Sequence, residues 1–278
     1  MNAREIVKDA LLYPFSDWKK IIVLGIFGVI ATLSINELIG TVYFLDNTTA
    51  LSIPVLTIIG LLSIFIERGY QFRILKSSLN SMIELPKFNS WICMFKDGIK
   101  LSIVTVVYLI PFILIYYVFK SSFIAILQLM FNNLPSLVFS TIIHLKLTFF
   151  TTIGILHLIE FFTLFLFMNV ILIMFLISIA NMANNNGKLA AAFKFRQISN
   201  KLSSVGWKNL IIWYVVIESI YLIILSISGI ILKEILHLIS PNVGTGLGYL
   251  IITILLSLIV ISYLSMYLYR SLALLFFK

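Results

Sequence analysis

Long apolar runs broken by four basic bands constrain this chain more than any other feature. Arg4, Lys8, Lys19 and Lys20 make the first band, and Arg68, Arg73, Lys76, Lys87, Lys96 and Lys100 the second. Lys188, Lys194, Arg196, Lys201 and Lys208 make the third, and Arg270 and Lys278 close the chain. Only Lys120, Lys146 and Lys233 fall elsewhere. The sequence is 61% hydrophobic and 11% charged, against about 45–50% and about 25% in a water-soluble domain. A fold in water would carry that excess as an aggregating surface, whereas lipid tails are as apolar as Leu. No strand-like alternation recurs. Every backbone polar group in lipid has to be paired inside the structure, so an all-α integral membrane protein is expected.

A helix crossing ~30 Å of hydrocarbon needs about 20 apolar residues. Six stretches qualify: 21–44, 51–66, 99–119, 159–180, 209–232 and 247–269. The excess of Lys and Arg on alternate connections places the basic bands, and with them both termini, on the cytoplasmic side of a cell membrane. The chain then reads as one membrane domain, 1–278, of three in–out–in hairpins. Residues 121–145 hold two short apolar runs separated by Asn132-Asn133-Leu134-Pro135. Runs of about ten to fourteen residues are too short to span, which favours an outer interfacial or re-entrant segment. A seventh crossing there would reverse the sidedness of everything after it. Glu5, Asp9, Pro14 and Asp17 precede the first span and no small-residue cleavage site follows, so that span is expected to stay as an anchor.

Each of three inner bands sets an aromatic and a lysine at the start of a span: Trp18-Lys19-Lys20, Phe95-Lys96 and Trp207-Lys208. Upstream of each, apolar residues recur at helical spacing, as in Ile6, Ala10 and Leu11, then Tyr70, Ile74, Leu75 and Leu79, then Leu189, Phe193, Ile198, Leu202 and Val205. A cytoplasmic, amphipathic basic segment ahead of each hairpin is the expected arrangement. Gly69 and Asp97-Gly98 are read as the bends that join the middle segment to its spans, and Leu85-Pro86 as an extended turn.

Ionisable groups inside a membrane are the first candidates for function. Glu218 lies ten residues past Lys208, ~15 Å deep at helical rise, and Asn169 and Pro111 reach a similar depth. Two readings of Glu218 compete. In one, a protonated carboxyl bonded to Asn169 or a serine joins helices; in the other it couples protons or cations to transport. Pro111 frees a carbonyl one turn earlier that would accept the carboxyl proton. His157 and Glu160 share a helix face near the outer start of span four, but no further metal ligands accompany them. Cys93 is the only cysteine, and no catalytic set, phosphate loop or metal motif occurs. Gly244, Gly246 and Gly248 open a span without a preceding strand, so they do not make a nucleotide fingerprint. Asn47-Thr48-Thr49 is a glycosylation sequon in the predicted outer loop. No cofactor, metal or nucleic acid is expected.

Three blocks carry a family resemblance. They are Tyr13-Pro14-Phe15-Ser16-Asp17-Trp18; Gly69-Tyr70 and Arg73 with Leu85-Pro86-Lys87-Phe88, Trp91, Phe95, Asp97-Gly98 and Lys100; and Ala192-Phe193-Lys194-Phe195 with Ile198. They resemble domain-of-unknown-function family 4013, a mainly archaeal group of multi-spanning proteins. The resemblance implies a six-helix membrane protein and no assigned activity. The functional expectation is a membrane scaffold or accessory subunit without catalytic activity, with the bilayer, its anionic headgroups and a membrane-protein partner as contacts. A small-solute or ion transporter centred on Glu218 is the alternative.

Overall fold

The computed structural model describes residues 3–44, 52–132, 152–243 and 245–276. Within them the chain is helical and contains no strand. Helix α1 (Ala3–Leu12) passes through a 3-10 turn (Tyr13–Ser16) into α2 (Trp18–Phe44). Helices α3 (Ser52–Leu79), α4 (Trp91–Asn132) and α5 (Thr152–Asn184) follow. A second 3-10 turn (Leu189–Phe193) leads to α6 (Phe195–Val205) and then α7 (Trp207–Val243). Helix α8 (Thr245–Leu255) continues through one π-helical stretch (Leu256–Ile261) into α9 (Ser262–Phe276).

Among the described residues six helices are long and apolar enough to cross a membrane, over Trp18–Ile35, Pro54–Leu79, Trp91–Ile115, Phe162–Asn184, Trp207–Leu232 and Leu250–Phe276. This is a multi-pass membrane protein, and all six spans overlap those expected from hydropathy. The middle basic band differs. Tyr70, Ile74, Leu75 and Leu79 belong to the same continuous helix as the second span, so no separate interfacial helix precedes the third. Gly69 does not bend α3, and Asp97-Gly98 lies inside α4 and makes no turn.

The glycines serve a close approach instead. A Cβ at Gly69 would strike the Met94 carbonyl, and one at Gly98 would strike the Phe65 carbonyl. Phe65 and Gly69, like Met94 and Gly98, sit one turn apart, so each helix presents a glycine to the other's backbone. Helix α4 also runs on through residue 132, which makes the first half of the 121–145 segment a continuation of that helix. Residues 133–151, including His144 and Lys146, lie outside the described residues, as do the sequon at 47–49 and Gly244.

The chain forms two compact units, one of residues 1–103 with 177–278 and the other of residues 104–176. In the first, α2 lies against α3 and the π-helical stretch, while α9 lies against α1 and α3. Its core includes Leu24, Tyr70, Phe72, Ile74, Leu75 and Tyr267. Helix α6 buries Ile198, Leu202 and Val205, and leaves Arg196, Ser199, Asn200, Ser203 and Ser204 exposed. In the second unit Tyr108 of α4 meets Phe175 of α5 edge-on at 5.9 Å.

Candidate functional site

Between α3 and α4 the chain abandons helix, and the freed backbone groups need hydrogen-bond partners from the protein or from water. Helix α3 closes with a reversed turn in which Met82 N–H donates to the Ser77 carbonyl at 3.1 Å and Ser81 N–H to Ser78 at 3.2 Å. Ser81 takes the left-handed conformation that this closure requires, at φ 62°. At the far end Ser90, φ 53°, offers its carbonyl to the N–H groups of Cys93 and Met94. The extended stretch between these two serines contains Leu85-Pro86, the turn expected from the sequence.

Six carbonyls of that stretch accept a hydrogen bond from a distant side chain. Arg270 Nη1 donates to Met82 at 2.7 Å, and Tyr13 OH to Glu84 at 3.3 Å. Lys20 Nζ donates to Leu85 at 2.8 Å and Tyr70 OH to Pro86 at 2.9 Å. Arg73 Nη1 serves Lys87 at 2.9 Å and Asn89 at 2.7 Å. The five donors come from the first 3-10 turn, α2, α3 and α9. Four of the six bonds are part-buried and each contributes about 0.5–1.5 kcal/mol or somewhat more where the donor is charged, whereas the two from Arg73 are exposed to water and contribute less. Rings reinforce the clamp. Phe88 stacks on Tyr70 at 3.8 Å and 6°, and Trp91 faces Phe27 at 6.0 Å.

Arg270 anchors the far side. Its guanidinium sits 4.6 Å over the Tyr13 ring and forms a two-pronged pair with Asp9. Burial pushes the Tyr13 phenol above its ordinary pKa. Near the same end, the Lys20 ammonium, 3.1 Å from Asp17, holds that carboxyl below its ordinary value.

Below the clamp lies a polar contact among α2, α3 and the π-helical stretch. Gln71 Nε2 donates to Glu67 Oε1 at 3.0 Å. The other carboxylate oxygen and the Ser257 carbonyl flank Gly28, at 3.8 and 3.7 Å from where its Cβ would be. Thr32 Oγ1 donates to the Gly28 carbonyl at 2.8 Å and lies 3.4 Å from Ser257 Oγ. Sequence reasoning missed Glu67 because it ended the second span at residue 66. The readable signal was the unbroken helical spacing of apolar residues from 54 to 79.

The residues expected to matter are placed as follows. Glu218 is half-buried on α7, on one face with Tyr214 and Tyr221, and belongs to the first unit. Asn169 and Pro111 belong to the second unit. The Asn169 amide donates to the Phe165 carbonyl of its own helix at 2.6 Å, and Pro111 is exposed within α4. Glu160 is half-buried on α5; the side chain of His157 lies outside the described residues. Among the described residues no group of three or more His, Cys, Asp or Glu side chains is placed to hold a metal.

The comparisons with known proteins agree with the resemblance. No curated protein and no solved structure matches the chain. A family model matches residues 52–233, which takes in Tyr70 and Arg73 together with the whole clamped stretch. The chain belongs to the family described as protein of unknown function (DUF4013).

Proposed function

We propose that this protein is a membrane scaffold or accessory subunit without catalytic activity. It is threaded through a cell membrane as three in–out–in hairpins, with both termini and the basic bands cytoplasmic. The observation that carries the reading is the six-carbonyl clamp. Five side chains from four elements are committed to fixing one connection, an investment in a rigid surface and not in an open site. The fixed stretch displays Met82 at 56% and Ile83 at 77% exposure, apolar side chains suited to a docking face.

Anionic headgroups are the second proposed contact. Exposed Trp18, Phe195 and Trp207 stand next to Lys or Arg residues at helix starts, the pairing found at membrane interfaces. Helix α6 buries its apolar face within the protein and turns Arg196, with Lys194 just ahead of it, outward, so its contact with the inner leaflet is electrostatic, about 1 kcal/mol for each suitably placed Lys or Arg. The alternative of a small-solute or ion transporter draws support from Glu218, a half-buried carboxyl within the candidate span Trp207–Leu232.

Reconstitution separates the readings. A scaffold gives vesicles no more permeable to protons or small ions than empty ones, and Lys194→Cys in cells resists membrane-impermeant thiol reagents added outside. Flux that disappears in Glu218→Gln would replace the scaffold with the transporter, and external labelling at position 194 would overturn the threading.

A further inference from the structure

We infer that the gap between Gly28, Glu67 and Ser257 is a binding site for a small monovalent cation. A carboxylate on a membrane-crossing helix is unfavourable unless something balances its charge or completes its coordination. Gln71 satisfies one oxygen of Glu67, through Nε2 at 3.0 Å. The second faces Gly28, the position on α2 that brings no side chain of its own.

The surroundings are rich in oxygen. The Ser257 carbonyl and Glu67 Oε2 both lie within 4 Å of the point that a Gly28 Cβ would occupy. The Ser257 and Thr32 hydroxyls are 3.4 Å apart beside them. Ser257 is the second residue of a π-helical stretch, a widened turn that recurs at functional sites, and its carbonyl accepts from Ser262 Oγ at 3.0 Å with a second lone pair to offer. Carboxylate, carbonyl and hydroxyl oxygens are the ligands that hard cations select. Charge limits the choice. The site holds one carboxylate, enough to balance one positive charge, and the neighbouring Arg68 disfavours a second.

Room is available without displacement. Gly25 and Gly60, its neighbours at helix contacts, face atoms that a Cβ would strike, the Leu258 carbonyl and the Ser34 side chain. At Gly28 every contact of an added Cβ falls at 3.7–3.9 Å, ordinary van der Waals separation. A methyl therefore fits there, and it would fill the gap. This inference is independent of the scaffold reading, since a bound ion serves a rigid scaffold and a transporter alike.

The test is the thermal unfolding midpoint of the full-length protein in detergent, at constant pH and ionic strength, in NaCl, KCl or choline chloride. Na⁺ or K⁺ should raise the midpoint saturably over choline, by about 5 °C once the ion exceeds its dissociation constant about 100-fold. Gly28→Ala and Glu67→Gln should each lose that shift while keeping a cooperative transition in choline. Two variants are used because Glu67→Gln also alters the bond to Gln71, whereas Gly28→Ala leaves it in place. Equal wild-type midpoints in the three salts would overturn the inference, and so would a shift that persists in both variants. Neither result bears on flux or topology, so failure here is distinguishable from failure of the proposed function.

Discussion

Arg270 grips Asp9 with two nearly parallel hydrogen bonds, Nε to Oδ1 at 2.7 Å and Nη2 to Oδ2 at 3.2 Å, joining the last described helix to the first across 261 positions of sequence. The same guanidinium holds the Met82 carbonyl, so α1, α9 and the stretch between α3 and α4 meet at one side chain. The Arg270 side chain is only 4% exposed, whereas that of Asp9 is 34% exposed. An arginine withdrawn from water to this degree is tolerable because each of its three nitrogens donates a hydrogen bond and one partner is a carboxylate.

Removing that arginine should loosen all three elements. Arg270→Met keeps the unbranched stem of the side chain and leaves Asp9 and the Met82 carbonyl without their donor. The expected loss is about 2–4 kcal/mol, below the full cost of breaking a fully buried pair because water reaches Asp9. Arg270→Lys should recover less than half, since one ammonium cannot match the planar fork. Denaturant titration of the purified protein checks both; a loss under about 0.5 kcal/mol for Arg270→Met would show that the junction contributes little.

Glycine substitutions separate close approach from mere flexibility. Gly69→Ala and Gly98→Ala each drive a methyl into the backbone of the opposing helix, and each should cost about 1–3 kcal/mol. Gly229→Ala on α7 meets nothing within 4 Å, and should be neutral or stabilising by up to about 1 kcal/mol. Thermal midpoints of the three variants give the ordering; a Gly69→Ala protein as stable as Gly229→Ala would mean that the two helices do not touch there.

Acid should weaken the Asp17–Lys20 contact in a defined direction. Lys20 holds the folded Asp17 carboxyl below its ordinary value of 3.8, so the stabilisation is complete above that value and disappears as pH falls through the folded one. Asp17 is solvent-exposed enough for the effect to be small. Wild type should exceed Asp17→Asn in stability at neutral pH, and the two should converge at a pH below the folded carboxyl's pKa. A difference that stays constant down to that pH would assign it to something other than the carboxylate charge.

The spans were legible because hydropathy over about 20 residues reports directly on lipid burial. The end of the second was not, since Glu67 and Arg68 look like the edge of a basic loop when charge alone is counted. In the structure the helix carries them onward, with Glu67 turned toward Gly28 and bonded to Gln71. The glycines were misread for a related reason: sequence shows that Gly69 and Gly98 permit bends, but only the opposing backbones of Met94 and Phe65 show why a bend is not what they provide. The clamp was the least legible feature. Its donors stand at positions 13, 20, 70, 73 and 270, and their acceptors are carbonyls, which every residue possesses. Arg270 therefore appeared only as a member of the last basic band.

Rigidity of the clamped stretch is the claim on which the scaffold reading rests, and a distance distribution measures it directly. With Cys93→Ser as background, Phe15→Cys and Ile83→Cys carry spin labels at two exposed positions that the Tyr13–Glu84 bond holds near each other. Pulsed dipolar spectroscopy in lipid nanodiscs should give one narrow distribution, broadened several-fold when Arg270→Met is added. A distribution already broad without that substitution would contradict a fixed docking surface.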